Sequence, residues 1–286
     1  MTQAKGAAAN ADMIEYWNGN GAARWLANYD AIGAQIKVLG TLALDRAAFA
    51  PESRVLDVGC GGGDSTVEIA QRLGPRGSVT GLDVSGPLLQ RAIEKAFSAG
   101  VANASFTRAD AQTATLPEAV FDGMFSRFGV MFFADPRAAF ANIRRALRPG
   151  ARMCFLCWRA MADNPMMHVP ATAVSKVVEV SIAAPHAPGP FAFADCDRLR
   201  GILEGAGFTE LGFEKLDEVL SVGPSPDLDA TAVFLSTMGP AGAALTAAEP
   251  DVKQAGIAAI REAIEPYHTP GGLRMSSATW IVTGRA

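Results

Sequence analysis

The chain has 286 residues, 49% of them hydrophobic and 19% charged, which is enough apolar material to bury a core in one large domain or two small ones. A formal net charge of −4, with 25 Lys and Arg spread evenly among 29 Asp and Glu, leaves no basic stripe to track a nucleic acid backbone. The opening MTQAKGAAANADMIEYW lacks a long apolar run, and no later stretch approaches the roughly 20 apolar residues that span a bilayer. The expectation is a cytoplasmic protein whose partners are small molecules, not nucleic acid or membrane.

In chain order, residues 10–50, with Trp17, Trp25 and Tyr29, read as helical and are expected to form an N-terminal lid, residues 1–50. From residue 54 to about 157, short apolar runs alternate with helical periodicity. RVLDVG reads as a buried strand, DSTVEIAQRLG as a helix stopped by Gly74-Pro75, and GSVTGLDVS as the next strand. PLLQRAIEKAFSAG follows, with Leu89, Ile93 and Phe97 four apart on one helical face and Gly100 closing it. ASFTRADA and FDGMFSRFGV are the third and fourth strands. Asp135-Pro136 supplies an N-cap and a first-turn proline for a helix presenting Phe140, Ile143 and Leu147, ended by Pro149-Gly150, and ARMCFLCW is the fifth strand.

Strict alternation of apolar strands with helices predicts a doubly wound α/β domain, its mostly parallel sheet covered on both faces. Asp195 caps a further helix with Leu199, Ile202 and Leu203 inward, and ELGFEKLDEVLSV and ATWIVTGRA read as two more strands, giving seven. Residues 51–286 are then one domain carrying helical inserts at about 159–194 and 223–274, which cap the ligand side and leave room for a homodimer interface. Cys154 and Cys157 lie in a strand and point to opposite faces, so they read as buried hydrophobes, with no second pair or adjacent His to complete a metal site.

The glycines of VLDVGCGGGDST, residues 55–66, stand in the first strand-to-helix turn, the usual ligand position of such sheets. A dinucleotide fingerprint needs Gly where Asp64 stands, and that carboxylate occupies the helix N-terminus where a pyrophosphate would sit. No Tyr-x-x-x-Lys pair supports an NAD-dependent oxidoreductase, and no Lys followed by Ser or Thr completes a P-loop. A ligand with adenosine and no phosphate remains.

The pattern D-x-G-x-G-x-G, here Asp57, Gly59, Gly61 and Gly63, resembles motif I of the class I S-adenosylmethionine-dependent methyltransferases. Asp83, about twenty residues past the glycines, ends the second strand, where an acid takes the ribose hydroxyls. Asp110 follows the third strand, and in similar enzymes this acid and the next backbone unit, Ala111, take the adenine amino edge. Ser126 ends the fourth strand, where the family's backbone lines the methionine part. The resemblance covers roughly residues 50–160 and implies S-adenosyl-L-methionine as cofactor, S-adenosyl-L-homocysteine as product, and contacts that include Cys60, Val84 and Arg127. Arg127 reaches the cofactor carboxylate or forms an ion pair, and Cys60 reads as a small loop filler more than a reactive thiol.

On the acceptor side, the resemblance to the ubiquinone/menaquinone methyltransferase-like group implies a small, apolar or aromatic organic acceptor methylated at O, N or C. Trp17, Met131, Phe132, Trp158, Met166 and Met167 are candidates to line an apolar pocket. His168, directly after the fifth strand, is the candidate general base among His168, His186 and His268. A noncatalytic cofactor-binding protein of the same fold is the alternative.

Overall fold

The computed structural model describes residues 10–286; the first nine residues of the expected lid lie outside them. Eight strands form one sheet: β1 (Arg54–Val58), β2 (Ser78–Asp83), β3 (Ala104–Arg108), β4 (Phe121–Arg127), β5 (Leu147–Trp158), β6 (Thr209–Val222), β7 (His268–Thr269) and β8 (Gly272–Arg285). Their order is β3-β2-β1-β4-β5-β8-β6, with β7 pairing only β8. β1 to β5 pair in parallel, while β8 runs antiparallel between β5 and β6. The doubly wound, mostly parallel fold is therefore the one the alternation predicts. The eighth strand is a two-residue addition at the start of the β8 hairpin.

Chain direction across the sheet reverses at β1: β2 and β3 lie on one side and β4 and β5 on the other. Such a switch point leaves a crevice beyond the carboxyl ends of β1 and β4, because the helices following β1 and β4 diverge to opposite faces. These are α4 (Asp64–Arg72) and α6 (Pro136–Ala146); α5 (Gly86–Ser98) follows β2. Asp135 caps α6 as the sequence predicts, accepting from the Ala138 N–H, and Phe140, Ile143 and Leu147 are buried. Asp195 likewise caps α8 (Cys196–Gly205), with Leu199, Ile202 and Leu203 inward.

Among the described residues, three helices precede the sheet: α1 (Ala11–Asn18), α2 (Asn20–Ala27) and α3 (Tyr29–Ala47). The expected boundary at residue 50 does not separate α3 from the sheet. Ile32, Ile36, Leu39, Ala43 and Leu44 are buried in the common core, and α3 packs on β4, β5 and β6. Only α1 and α2 remain as a cap.

A second correction concerns α5. Ile93 and Phe97 are exposed, Phe97 at 88%, and the inward residues are Leu88, Leu89, Ala92 and Ala96. The two alanines face in because α5 must come close to the glycine loop: a Cβ on Gly63 would sit 2.8 Å from the Ala92 Cβ. Larger side chains there would hold the helix off.

The insert at 159–194 holds one α-helix, α7 (Pro165–Val174), after a short 3-10 turn at Met161–Asp163, with no regular structure at 179–184; the insert at 223–274 holds α9 (Leu228–Leu235), α10 (Gly239–Thr246) and α11 (Pro250–Ile264). α7 packs against α10 and α11 as a helical layer beside β8. Cys154 and Cys157 are buried on opposite faces, their thiols directed to the carbonyls of Ala43 and Phe193. No helix among the described residues is long and apolar enough to cross a membrane.

Candidate cofactor site at the ends of the parallel strands

Asp57, near the end of β1, is wholly buried. Its Oδ2 accepts hydrogen bonds from Ser65 Oγ (2.7 Å) and Thr66 Oγ1 (2.6 Å), tying the first turn of α4 back to the strand. Burial pushes this carboxyl up to about 6, against the pull of the two hydroxyls. Its Oδ1 has no partner among the described residues. Asp57 thus fixes the entry angle of α4 from beneath the loop.

The loop itself is pinned by Gly59 and Cys60, whose N–H groups both donate to the Leu82 carbonyl at 2.8 and 3.2 Å. Side chains are excluded from it mainly by the protein's own atoms. A Cβ on Gly59 would lie 2.7 Å from the Gly129 Cα, and one on Gly62 would overlap the Tyr29 ring. Gly61 is the exception: its φ is +55°, and a Cβ there would meet nothing within 4 Å. At that one position the loop presents bare backbone to open space. Cys60 is buried, and burial raises its thiol well above the ordinary range, so it fills the loop.

Three acids expected at successive strand ends are assembled here. Asp83 accepts from the Gly61 N–H on Oδ2 and from the Ser85 N–H on Oδ1, both at 2.8 Å. Burial raises its carboxyl while these backbone donors oppose the rise. Asp110 accepts from the Gln112 N–H and the Thr113 hydroxyl, both at 2.9 Å. A carboxylate offers about four lone-pair sites, so Asp83 and Asp110 each keep capacity for further donors such as hydroxyls or an amine. Ala111 is buried with its carbonyl held by Asn142 Nδ2 at 2.8 Å, and Ser126 is buried with its Oγ accepting from the Gly129 N–H at 3.1 Å.

Asp64 opens α4, paired with Arg127 (3.0 Å) and Lys95. Burial disfavours its ionisation, but the two cations outweigh it and hold the carboxyl below the usual range. Of the two roles open to Arg127, the structure shows the ion pair.

Several partners escaped the sequence. Asn18 at the end of α1 donates to the Val84 carbonyl (3.0 Å), while its Oδ1 accepts from the Gly86 N–H (3.0 Å) and Arg108 Nη2 (2.9 Å). The cap is therefore stapled to the loop after β2. Tyr29 lies on Gly62 with the cations of Lys95 and Arg91 5.0 and 5.3 Å from its ring centre. Burial and the neighbouring Asp64 charge raise its phenol. Gly62, which no nucleotide motif requires, was the one available signal for such a contact.

The acceptor-side residues separate. Trp17, itself in the cap helix α1, packs edge-to-face on Phe132 at 5.2 Å. Met131 and Trp158 are buried core, Trp158 stacked at 4.3 Å on Phe128, whose φ is +64°. Met166 is buried and receives Gln35 Nε2 at 3.0 Å, while Met167 is half-buried. His168 is exposed on α7 and has no side-chain hydrogen bond to another described residue. His268 Nε2 is engaged with the Pro226 carbonyl at 2.8 Å.

The pattern of a methyltransferase domain matches residues 55–150, from β1 to the start of β5. This segment is a methyltransferase domain. Motif I and the acids at the strand ends are similar to those of the class I, S-adenosylmethionine-dependent kind. The chain is 30% identical over 128 residues to aklanonic acid methyltransferase DauC of Streptomyces sp. strain C5, covering 44% of this chain and 58% of that one. Identity is 36% over 104 residues to the ubiquinone/menaquinone biosynthesis C-methyltransferase UbiE of Saccharophagus degradans, covering 36% and 42%. With the O-methyltransferase resE of Aspergillus sclerotiorum it is 33% over 162 residues, 56% of each chain. The chain thus spans about half the length of these curated relatives. In fold, the methyltransferase domain and its additions resemble the YcgJ protein of Bacillus subtilis, with a TM-score of 0.58 at 16% identity over 86% of this chain and 97% of that one. The [4+2]-cyclase SpnF is similar too, with a TM-score of 0.53 at 22% identity over 86% and 79%. A cyclase among such neighbours means that fold alone does not name the reaction.

Proposed function

We propose that the protein transfers the methyl group of S-adenosyl-L-methionine to a small, apolar or aromatic organic acceptor. The observation that carries this reading is the convergence at one sheet edge of the bare backbone of Gly61 with Asp83 and Asp110, beneath a cap stapled by Asn18. The residues fit the cofactor: two half-buried acids with spare acceptor capacity suit the ribose hydroxyls and the adenine amino group, while the Asp64 side chain, held by Arg127 and Lys95, stands at the helix N-terminus where a pyrophosphate would have to sit. DauC and UbiE, named for aklanonic acid and for ubiquinone/menaquinone biosynthesis, support the acceptor class.

When bound, the cofactor supplies a sulfonium methyl whose displacement releases a neutral thioether, so no acid is needed to expel the leaving group. The protein's share is then chiefly position and orientation. Asp83 holds the loop through the Gly61 N–H, Asp110 and the Ala111 backbone define the far end of the strand edge, and α1 with Trp17 and Phe132 excludes water from above. Arg127 serves by neutralising Asp64. His168 is assigned no part.

The test is incubation with S-adenosylmethionine carrying a trideuterated methyl group and a mixture of hydroxyaromatics, quinols and amines, read by mass spectrometry. The expected result is a labelled product with wild type and its loss with Asp83→Ala, whose circular dichroism at the assay temperature stays that of the folded protein. Failure to label any acceptor, with cofactor binding intact, would favour a noncatalytic role.

A further inference from the structure

A second cavity, of about 270 Å³, lies on the seam between the cap and the C-terminal insert, away from the glycine loop. Arg24 of α2 and Lys253 of α11 line it, over a floor of Leu245 and Ile257. Both cations are half-buried, and among the described residues neither has an ion pair or a side-chain hydrogen bond. Two such charges are brought to one hollow from elements more than 200 positions apart in sequence, and among the described residues no carboxylate lines the hollow to pair with them.

The remaining polar groups do not offset them. Ser236, Thr237 and Thr246 also line the cavity, but each hydroxyl donates to a carbonyl of its own helix: Val233 (2.7 Å), Phe234 (2.7 Å) and Gly242 (2.6 Å). Arg24 and Lys253 are therefore the free donors. Lys253 also stands in the first turn of the 15-residue α11, where the helix dipole favours negative charge. A guanidinium fork beside an ammonium matches a carboxylate, and the apolar floor matches a hydrocarbon body.

We infer that this cavity binds a small apolar carboxylate, anchored by Arg24 and Lys253. The inference stands on the cavity alone and does not depend on methyl transfer. The carboxylate belongs either to the methyl acceptor or to a separate effector, and both use the same anchor. Asn28 Nδ2 bridges the seam to Thr237 Oγ1 at 3.4 Å, one residue before the Tyr29 that rests on Gly62.

The experiment titrates the full chain calorimetrically with 4-phenylbutyrate and octanoate, and with their uncharged amides. The carboxylates should bind at least tenfold more tightly than the amides, and Arg24→Gln and Lys253→Gln should each weaken them tenfold or more without altering melting temperature. Should a Gln variant melt early, Arg24→Lys and Lys253→Arg preserve the charge and should bind within about threefold of wild type. Absence of carboxylate binding, equal binding of the amides, or indifference to both Gln substitutions would overturn the site. Incubating bound 4-(4-hydroxyphenyl)butyrate, whose phenol stays free to react while the carboxylate is anchored, with S-adenosylmethionine separates the sources: gain of a methyl group marks an acceptor, and binding without methylation marks an effector. S-adenosylhomocysteine titrated alongside shows whether the proposed function fails independently.

Discussion

At the scale of single residues, the loop glycines answer to different neighbours. Gly62 is bare because Tyr29 lies on it, so Gly62→Ala should cost about 1–3 kcal/mol of stability through overpacking. In a Tyr29→Ala background most of that cost should vanish, because the colliding ring is gone. Denaturant unfolding of the four proteins checks this, and additive effects would show that ring and loop do not touch. Gly61 faces open space, so Gly61→Ala should lose only about 1–2 kcal/mol to backbone strain while lowering S-adenosylhomocysteine affinity at least tenfold. Unchanged affinity would take the cofactor away from that backbone. Asp57 predicts a pH dependence. Its carboxyl titrates near 6 in the fold and near 3.9 in the unfolded chain, so below pH 4 both states hold the proton and it contributes nothing. As pH rises from 4 to 6 the unfolded chain ionises first, and native stability falls by up to about 3 kcal/mol. The melting difference between Asp57→Asn and wild type should therefore shift in the variant's favour across that window and level off above it; a pH-independent difference would contradict the buried, raised carboxyl.

At the scale of elements, the cap and the core helices behave differently. Asn18 is the staple that joins α1 to the Val84–Gly86 turn, so Asn18→Ala should raise amide exchange in residues 11–18 while leaving the sheet protected. Slowed or unchanged exchange there would mean that the cap is held by its aromatic contacts alone. Strands β1 to β5, the capped helix α6 and the placement of Asp83 and Asp110 were legible because period, cap residues and strand-end acids are local signals. α3 was misread as lid because its apolar positions match a helix on any surface, and only the sheet decides what they cover. α5 was misread for a related reason: large residues at 93 and 97 outweigh alanines in a periodicity count, whereas close approach to Gly63 selects the alanines. The pairing of Asp64 with Lys95 and Arg127, 31 and 63 positions away, had no sequence signal at all. His168 fell out because nearness in sequence to a strand end says nothing about which way a following helix turns its side chains.

At the scale of the whole molecule, a doubly wound sheet serves many nucleotide ligands, and the choice among them rests on charge at the first turn. The Asp64 carboxylate, held by Arg127 and Lys95, occupies the start of α4 where a pyrophosphate would sit, and the loop offers bare backbone only at Gly61, an arrangement that suits an adenosyl group better than a dinucleotide. Calorimetric titration with S-adenosylhomocysteine, using NADH as the control ligand, tests this directly. One-site binding of S-adenosylhomocysteine in the micromolar range with no heat from NADH is the predicted result. Binding of NADH alone would contradict the account, because a pyrophosphate would then be seated where Asp64 stands.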